Sequence, residues 1–242
     1  MFPFYDAPAV VGHRGAPHVA PENTPAAFLA AWEAGARWVE LDVRRSADDV
    51  PVVHHDPTTP DGTPLIEQTA HDLSSLGVWG LEAVLADLPD GLGVDVEIKN
   101  NPGEVDYQEN DQRTVELVTE LLEGRIDERP WMTSSFNPLT VSAIAKALPS
   151  VPAGLLHLGT LSLAQAANFG VEYGAQIICP PIDADGLAPA EVAALHAEGL
   201  AVFVWTVDDL DEVLRLVRLG VDAICTNRPG EVVKALADLA AG

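Results

Sequence analysis

Two short stretches hold acidic and basic side chains at spacings that let them act together: Glu40-Leu41-Asp42 in ARWVELDV and Glu97-Ile98-Lys99 in GVDVEIKN. On a strand, residues two apart point to one face, so Glu40 and Asp42 share a side while Leu41 faces the other layer. If Glu97 and Lys99 turn the same way, three carboxylates and an ammonium converge. Three anions in one poorly solvated place repel unless they are protonated or bridged by a cation. A divalent metal resolves the conflict, and an oxygen-only ligand set favours Mg²⁺ or Ca²⁺ over Zn²⁺. Taken singly, each signal has an ordinary reading: a solvated edge for Glu-x-Asp, an ion pair for Glu-x-Lys, a turn for His13-Arg14, a capped loop for His54-His55-Asp56.

Their shared position along the chain joins them. Short β-branched runs alternate with longer amphipathic segments, the pattern of βα units around a parallel sheet. The runs are PAVVGHRG, ARWVELDV, GVDVEIKN, WMTSSF, PAGLLHL, AQIICPP, LAVFVWTV and VDAICTN. The helices between them include TPAAFLAAWEAG, opened by Asn23 or Thr24 with Pro25 at the first helical position, LEAVLADL, and a polar segment from about Gln108 to Leu122. PVVHHD is a short strand-like insert in a turn-rich stretch. Eight units in 242 residues suit a single-domain (β/α)8 TIM barrel over residues 1–242, a fold of about 250 residues. An open doubly wound sheet is the alternative, because periodicity does not distinguish closed from open. In a barrel, reactive groups gather at the carboxyl ends of the strands, where His13, Arg14, Glu40, Asp42, Glu97, Lys99, Ser134, Ser135, His157, Trp205, Thr226 and Asn227 fall.

Composition narrows the partners. With 37 acidic against 13 basic residues the formal charge is −24, so a nucleic-acid backbone would be repelled. The bases are scattered, without a basic stripe. Cys179 and Cys225 lie in apolar runs and read as small buried hydrophobes. MFPFYDAPAVV lacks the features of a signal peptide, and no run reaches the roughly 18 apolar residues of a membrane span. The expectation is a cytoplasmic protein without membrane insertion; the oligomeric state stays open.

The motifs VVGHRGAP, PENTPAAF, GARWVELDV, PVVHHDPT, VDVEIKN, VFVWTVDD and GVDAICTNRP run in order from Val10 to Pro229, and together they resemble the glycerophosphodiester phosphodiesterases. The resemblance implies a (β/α)8 barrel that hydrolyses glycerophosphodiesters to glycerol 3-phosphate and an alcohol. It implies Glu40, Asp42 and Glu97 as ligands of a divalent metal and His13 and His55 as the general acid-base pair. Arg14 and Lys99 are implied as phosphate contacts and Trp205 as an aromatic residue near the substrate glycerol. The segment Pro57–Gly62 lacks the family's Arg after His-Asp, Val78–Leu85 departs from the family's Pro-Thr-Leu-Glu-Glu-Val-Leu, and Thr226-Asn227-Arg228-Pro229 stands where the family has Thr-Asp-x-Pro. None of these departures falls on a residue expected to do chemistry.

Among the remaining histidines, His196 reads as structural, His54 as wall or packing, and His18, His71 and His157 as surface or loop residues, with His157 able to line the mouth. A phosphodiester lyase of phospholipase type, ending at a cyclic phosphate, and a non-catalytic phosphodiester-binding barrel are the rival readings.

Overall fold

The computed structural model describes residue 4, residues 8–109 and residues 112–241. Much of the N-terminal segment read for export features, residues 1–3 and 5–7, lies outside the described residues. The elements run β1 (Ala9–Gly12), α1 (Pro25–Glu33), β2 (Trp38–Arg45), β3 (Pro51–Val53), a 3-10 turn (Leu65–Glu67), α2 (Ala70–Ser75), β4 (Trp79–Gly80), α3 (Leu81–Asp87) and β5 (Gly93–Ile98). They continue as α4 (Arg113–Glu123), β6 (Trp131–Ser135), α5 (Pro138–Ala147), β7 (Ala153–Leu156), α6 (Leu163–Glu172) and β8 (Ile177–Cys179). The last are α7 (Pro189–Ala197), β9 (Ala201–Val204), α8 (Leu210–Leu219), β10 (Ala223–Thr226) and α9 (Pro229–Ala241).

Eight of the strands pair in parallel, and β1 pairs with both β10 and β2, so the sheet closes into a barrel. Closure rules out the open-sheet alternative. Two apolar layers result. Outward strand residues such as Val39, Leu41, Val94 and Val96 pack with helix residues such as Phe28, Val118 and Leu216. Inside the barrel lie Val11, Trp38, Met132, Ile177, Cys179, Phe203 and Cys225, with Phe4 edge-on to Trp38 at 5.2 Å. Gly93 makes room for that indole: a Cβ there would stand 2.4 Å from the Trp38 ring. Both cysteines are free and buried, as expected.

Helix boundaries follow local chemistry. Thr24 rather than Asn23 caps α1, its side chain accepting from the Ala27 N–H. Asp209 caps α8 by accepting from the N–H groups of Asp211 and Glu212, and Gly220 ends it at φ 81°, where the left-handed region favours glycine. Ser162 and Gln165 form a reciprocal capping box on α6.

Two expectations need correction. The stretch between β2 and α3 is an antiparallel appendage, β3 on the end of β2 and β4 on β3, over a small core of Val52, Leu65, Leu73 and Val78. Those four residues have no regular period, so neither α2 nor β4 was legible. The polar helix starts at Arg113 and not near Gln108; of the expected first turn, residues 110–111 lie outside the described residues. The preceding segment is held as a loop because Glu104 and Asp106 both accept from the buried Arg44 Nη1, at 2.9 and 2.7 Å.

Candidate active site

The alternation of β2 and β5 decides where the charges go. Their register pairs Glu40 with Asp95 and Asp42 with Glu97, and the odd-layer neighbours Leu41 and Val96 leave for the helix side. Glu40, Asp42 and Glu97 are all buried, and one oxygen from each lies within 4.8 Å of the others. Lys99 Nζ lies 2.8 Å from Asp42 Oδ1 and also donates to Glu97 Oε1. Arg14 Nε approaches Asp42 Oδ2 at 3.2 Å while its Nη1 pairs with Glu22 at 2.9 Å.

This arrangement has unequal electrostatics. Burial opposes the charge of Asp42, yet Lys99 and Arg14 outweigh it and hold the carboxyl well below the usual range. Burial, reinforced by Asp42 and Glu97, raises Glu40 well above its ordinary value. Burial also pushes Glu97 up to about 7 against the pull of Lys99. The Lys99 ammonium is itself disfavoured by burial but raised overall by Glu97 and Asp42. Glu40 Oε2 accepts from the Arg14 backbone N–H at 2.9 Å, whereas buried Oε1 has no hydrogen-bond partner. A partnerless carboxylate oxygen beside two other acidic groups is a costly arrangement that a divalent cation relieves, and the donor set is oxygen throughout. The three carboxylates therefore fit a divalent metal.

The turn after β1 supplies the next groups. Arg14 sits at φ 54° and Gly15 at φ 90°. A Cβ on Gly15 would stand 2.6 Å from the Ala27 carbonyl carbon, so this turn and α1 pack backbone to backbone. Asn23, at φ 57°, donates from Nδ2 to Asp42 Oδ2 at 2.7 Å and accepts from the Asp42 N–H at 3.2 Å, which orients that carboxylate.

His13 Nδ1 lies 2.8 Å from Asn227 Oδ1. Asn227 Nδ2 donates to Asp208 Oδ2 at 2.8 Å, and because a carboxylate only accepts, the amide oxygen must face His13. His13 thus carries its proton on Nδ1 and leaves the Nε2 lone pair free. Burial, then the nearby Arg14, lower its pKa. Asn227 is one of the departures from the family pattern, and it does touch a residue expected to do chemistry, because the end of β10 lies beside the end of β1. His55 enters through the appendage: the β2–β3 hairpin returns the chain so that the His54 N–H donates to the Asp42 carbonyl at 3.0 Å. Arg44 Nε donates to the His55 carbonyl at 2.7 Å. His55 Nδ1 donates to Asp56 at 2.7 Å, holding that carboxyl below its usual range.

His13, Arg14, Glu40, His55, Glu97, Lys99 and Trp205 line one cavity of about 720 Å³, with Asp42 buried beneath it. The Trp205 indole N–H donates to the Cys179 carbonyl at 2.8 Å, and Phe136 packs edge-on to its ring at 5.3 Å. His54 is half-buried, in keeping with a packing role. His157 is not a surface residue: it is 7% exposed in the cavity wall, its Nδ1 accepting from the Gly159 N–H at 3.2 Å.

Sequence reasoning missed Asp95, Arg44, Asn23 as a ligand-orienting residue, and the Asn227–Asp208 pair. Asp95 was findable, since it is two before Glu97 on the same strand. It is buried, accepts from Ser134 Oγ at 3.0 Å, and burial pushes it up to about 8. The long-range partners carried no local signal.

The family model described as the glycerophosphoryl diester phosphodiesterase family matches residues 13–231. A glycerophosphodiester phosphodiesterase of Caldanaerobacter subterraneus subsp. tengcongensis is 29% identical over 243 residues, covering 93% of this chain and 96% of its own. The solved structure of an Oleispira antarctica phosphodiesterase in complex with the product sn-glycerol-3-phosphate matches with TM-score 0.78 and 26% identity over 95% of this chain and 97% of that one. A Thermotoga maritima glycerophosphodiester phosphodiesterase shares the fold, with TM-score 0.78 at 24% identity over 95% and 99% of the two chains. With the match extending over nearly all of the barrel, the chain belongs to the glycerophosphoryl diester phosphodiesterase family.

Proposed function

We propose that this protein, acting as one domain, is a divalent-metal-dependent enzyme that hydrolyses glycerophosphodiesters to glycerol 3-phosphate and an alcohol. The observation that carries the reading is the convergence of Glu40, Asp42 and Glu97 in one cavity with two imidazoles, each with Nδ1 engaged and Nε2 left for chemistry. The product complex of the Oleispira relative supports the substrate class. Glu40, Asp42 and Glu97 would hold Mg²⁺ or Ca²⁺, which supplies Lewis-acid neutralisation of the non-bridging phosphate oxygens.

The chain's own groups do the rest. Arg14 and Lys99 form the positive island that admits an anionic diester to a protein of net charge −24. Trp205 offers an apolar face to the glycerol. His13, kept neutral by burial, is the base: its Nε2 takes the proton of the glycerol 2-hydroxyl as that oxygen forms a bond to phosphorus. His55, its Nδ1–H held by Asp56 so that Nε2 faces the site, gives its Nε2 proton to the departing alkoxide as the phosphorus–oxygen bond breaks. A water then opens the cyclic phosphate with the roles reversed, restoring both protonation states.

A panel of glycerophosphodiesters assayed with and without chelator tests the reading. Glycerol 3-phosphate is expected with Mg²⁺ or Ca²⁺ and not in chelator; undiminished turnover in chelator would remove the metal from the mechanism. Phosphorus NMR showing cyclic phosphate as the end product would make the protein a lyase, and binding without turnover under any metal would make it a binding barrel.

A further inference from the structure

The floor of the cavity is charged, but one side of its wall is largely apolar. Phe136 and Trp205 form an edge-to-face pair at 5.3 Å, and beyond them the loop after β7 contributes Leu158 and Leu161 and α6 contributes Phe169. Leu158 is 74% exposed and Phe169 is 38% exposed. An adjoining open depression of about 430 Å³ shares Leu161 and Phe169 with the cavity and continues along α6 to Gln165, Asn168 and Glu172. Apolar side chains thus line a path from the phosphate-binding floor to Leu161 and Phe169, where the cavity opens into the depression on the flank of the molecule. At about 720 Å³ the cavity alone is the size that encloses a drug-sized ligand, more than a glycerophosphate group requires.

We infer that this wall is a subsite for one aliphatic chain, and that the preferred substrates are phosphodiesters of glycerol bearing a single long acyl or alkyl group. The inference rests on the phosphodiesterase reading above. A cationic headgroup could stack on Trp205, but the path runs on past the aromatic pair over Leu158 and Leu161, which complement only hydrocarbon. The occupant follows from continuity: whatever fills the groove is attached to the phosphate held at its inner end. The chain sits either on the glycerol or on the leaving alcohol.

Two homologous series distinguish these sources, each with chains of six, eight and ten carbons used below the micellar concentration: acyl esters of glycerophosphocholine, with glycerophosphocholine as the chainless reference, and alkyl esters of glycerol phosphate, with the methyl ester in the place of the chainless reference. In one series kcat/KM is expected to climb by up to about threefold per buried methylene, reaching at least about tenfold between the chainless and ten-carbon members. The double variant Leu158→Ser/Phe169→Ser should lower the ratio of kcat/KM for the ten-carbon over the chainless diester by about tenfold. Thermal melting of the variant checks that it is folded, which exposed positions permit. Flat series, or a ratio unmoved in the variant, overturn the subsite while leaving the hydrolase reading intact. If no diester is turned over, the hydrolase reading fails instead, and calorimetry still decides the subsite: the ten-carbon diester must bind at least about tenfold more tightly than the chainless one, and equal affinities overturn it.

Discussion

At the residue scale the two histidines are distinguished by their partners. His13 is half-buried beside Arg14, and desolvation and that charge make it resist protonation, while a neutral amide holds its Nδ1–H; the Nδ1–H of His55 is held by a carboxylate. With a base whose pKa lies below its ordinary 6.5, activity should hold as pH falls to that value and decline only at lower pH. A pH–rate profile checks this, and loss of activity already above pH 7 would contradict the assignment. Asn227→Ala removes the bond that favours the protonated ring and fixes the tautomer. It should move the acid limb lower still and cut kcat by about ten- to a hundredfold. His13→Ala or His55→Ala should each cut turnover by at least about 10² while the metal-induced rise in melting temperature persists. Near-normal turnover, or loss of that rise, would show the roles misassigned.

At the element scale, Arg44 ties three segments together. It extends from the end of β2, donates to the His55 carbonyl on the appendage, and gathers Glu104 and Asp106 of the loop before α4. Its side chain is 1% exposed and that of Asp106 is 7% exposed, so removing the guanidinium strands buried anionic oxygen. Arg44→Met should cost about 3–5 kcal/mol in urea unfolding and also lower kcat, because the backbone holding His55 loses its anchor. Arg44→Lys should restore little, since one ammonium does not reproduce the fork that reaches a carbonyl and two carboxylates. Near-wild-type stability in Arg44→Met would mean the loop holds without it.

At the scale of the whole molecule, metal, protons and stability are linked. In the metal-free protein burial raises Glu97 to about 7 and Asp95 to about 8, against about 4 in an unfolded chain. The folded state then binds more protons than the unfolded one, so the stability these groups contribute is present below their unfolded values and is lost as pH rises through about 7 to 8. In chelator the melting temperature should therefore fall between pH 5 and pH 8. With Mg²⁺ or Ca²⁺, which bind the ionised carboxylates, the gap over chelator should widen with pH, and calorimetry at pH 7 in two buffers should register proton release. Identical melting with and without metal across that range would argue against the site. The net charge of −24 adds a long-range effect: modest salt should lower KM for an anionic diester by screening the repulsion.

Most of the architecture was legible in the sequence, because strand and helix periods and helix caps are local properties: seven of the eight barrel strands lie within the runs read from alternation, β2 overruns its own by Arg44 and Arg45, and the carboxylates of β2 and β5 share an interior face because their spacing is two. The appendage of β3, α2 and β4 was not legible, since its small core is aperiodic and packs only once the chain has folded back on β2. Closure of the barrel was likewise undecided until β1 met β10 across more than two hundred residues. That pairing alone sets Asn227 against His13, and only the fold brings Arg44 to His55 and Glu104. Residue types and local spacing thus determined which groups are available and which way they face. Tertiary structure decided which of them meet, because a hydrogen bond between residues distant along the chain leaves no period in the sequence.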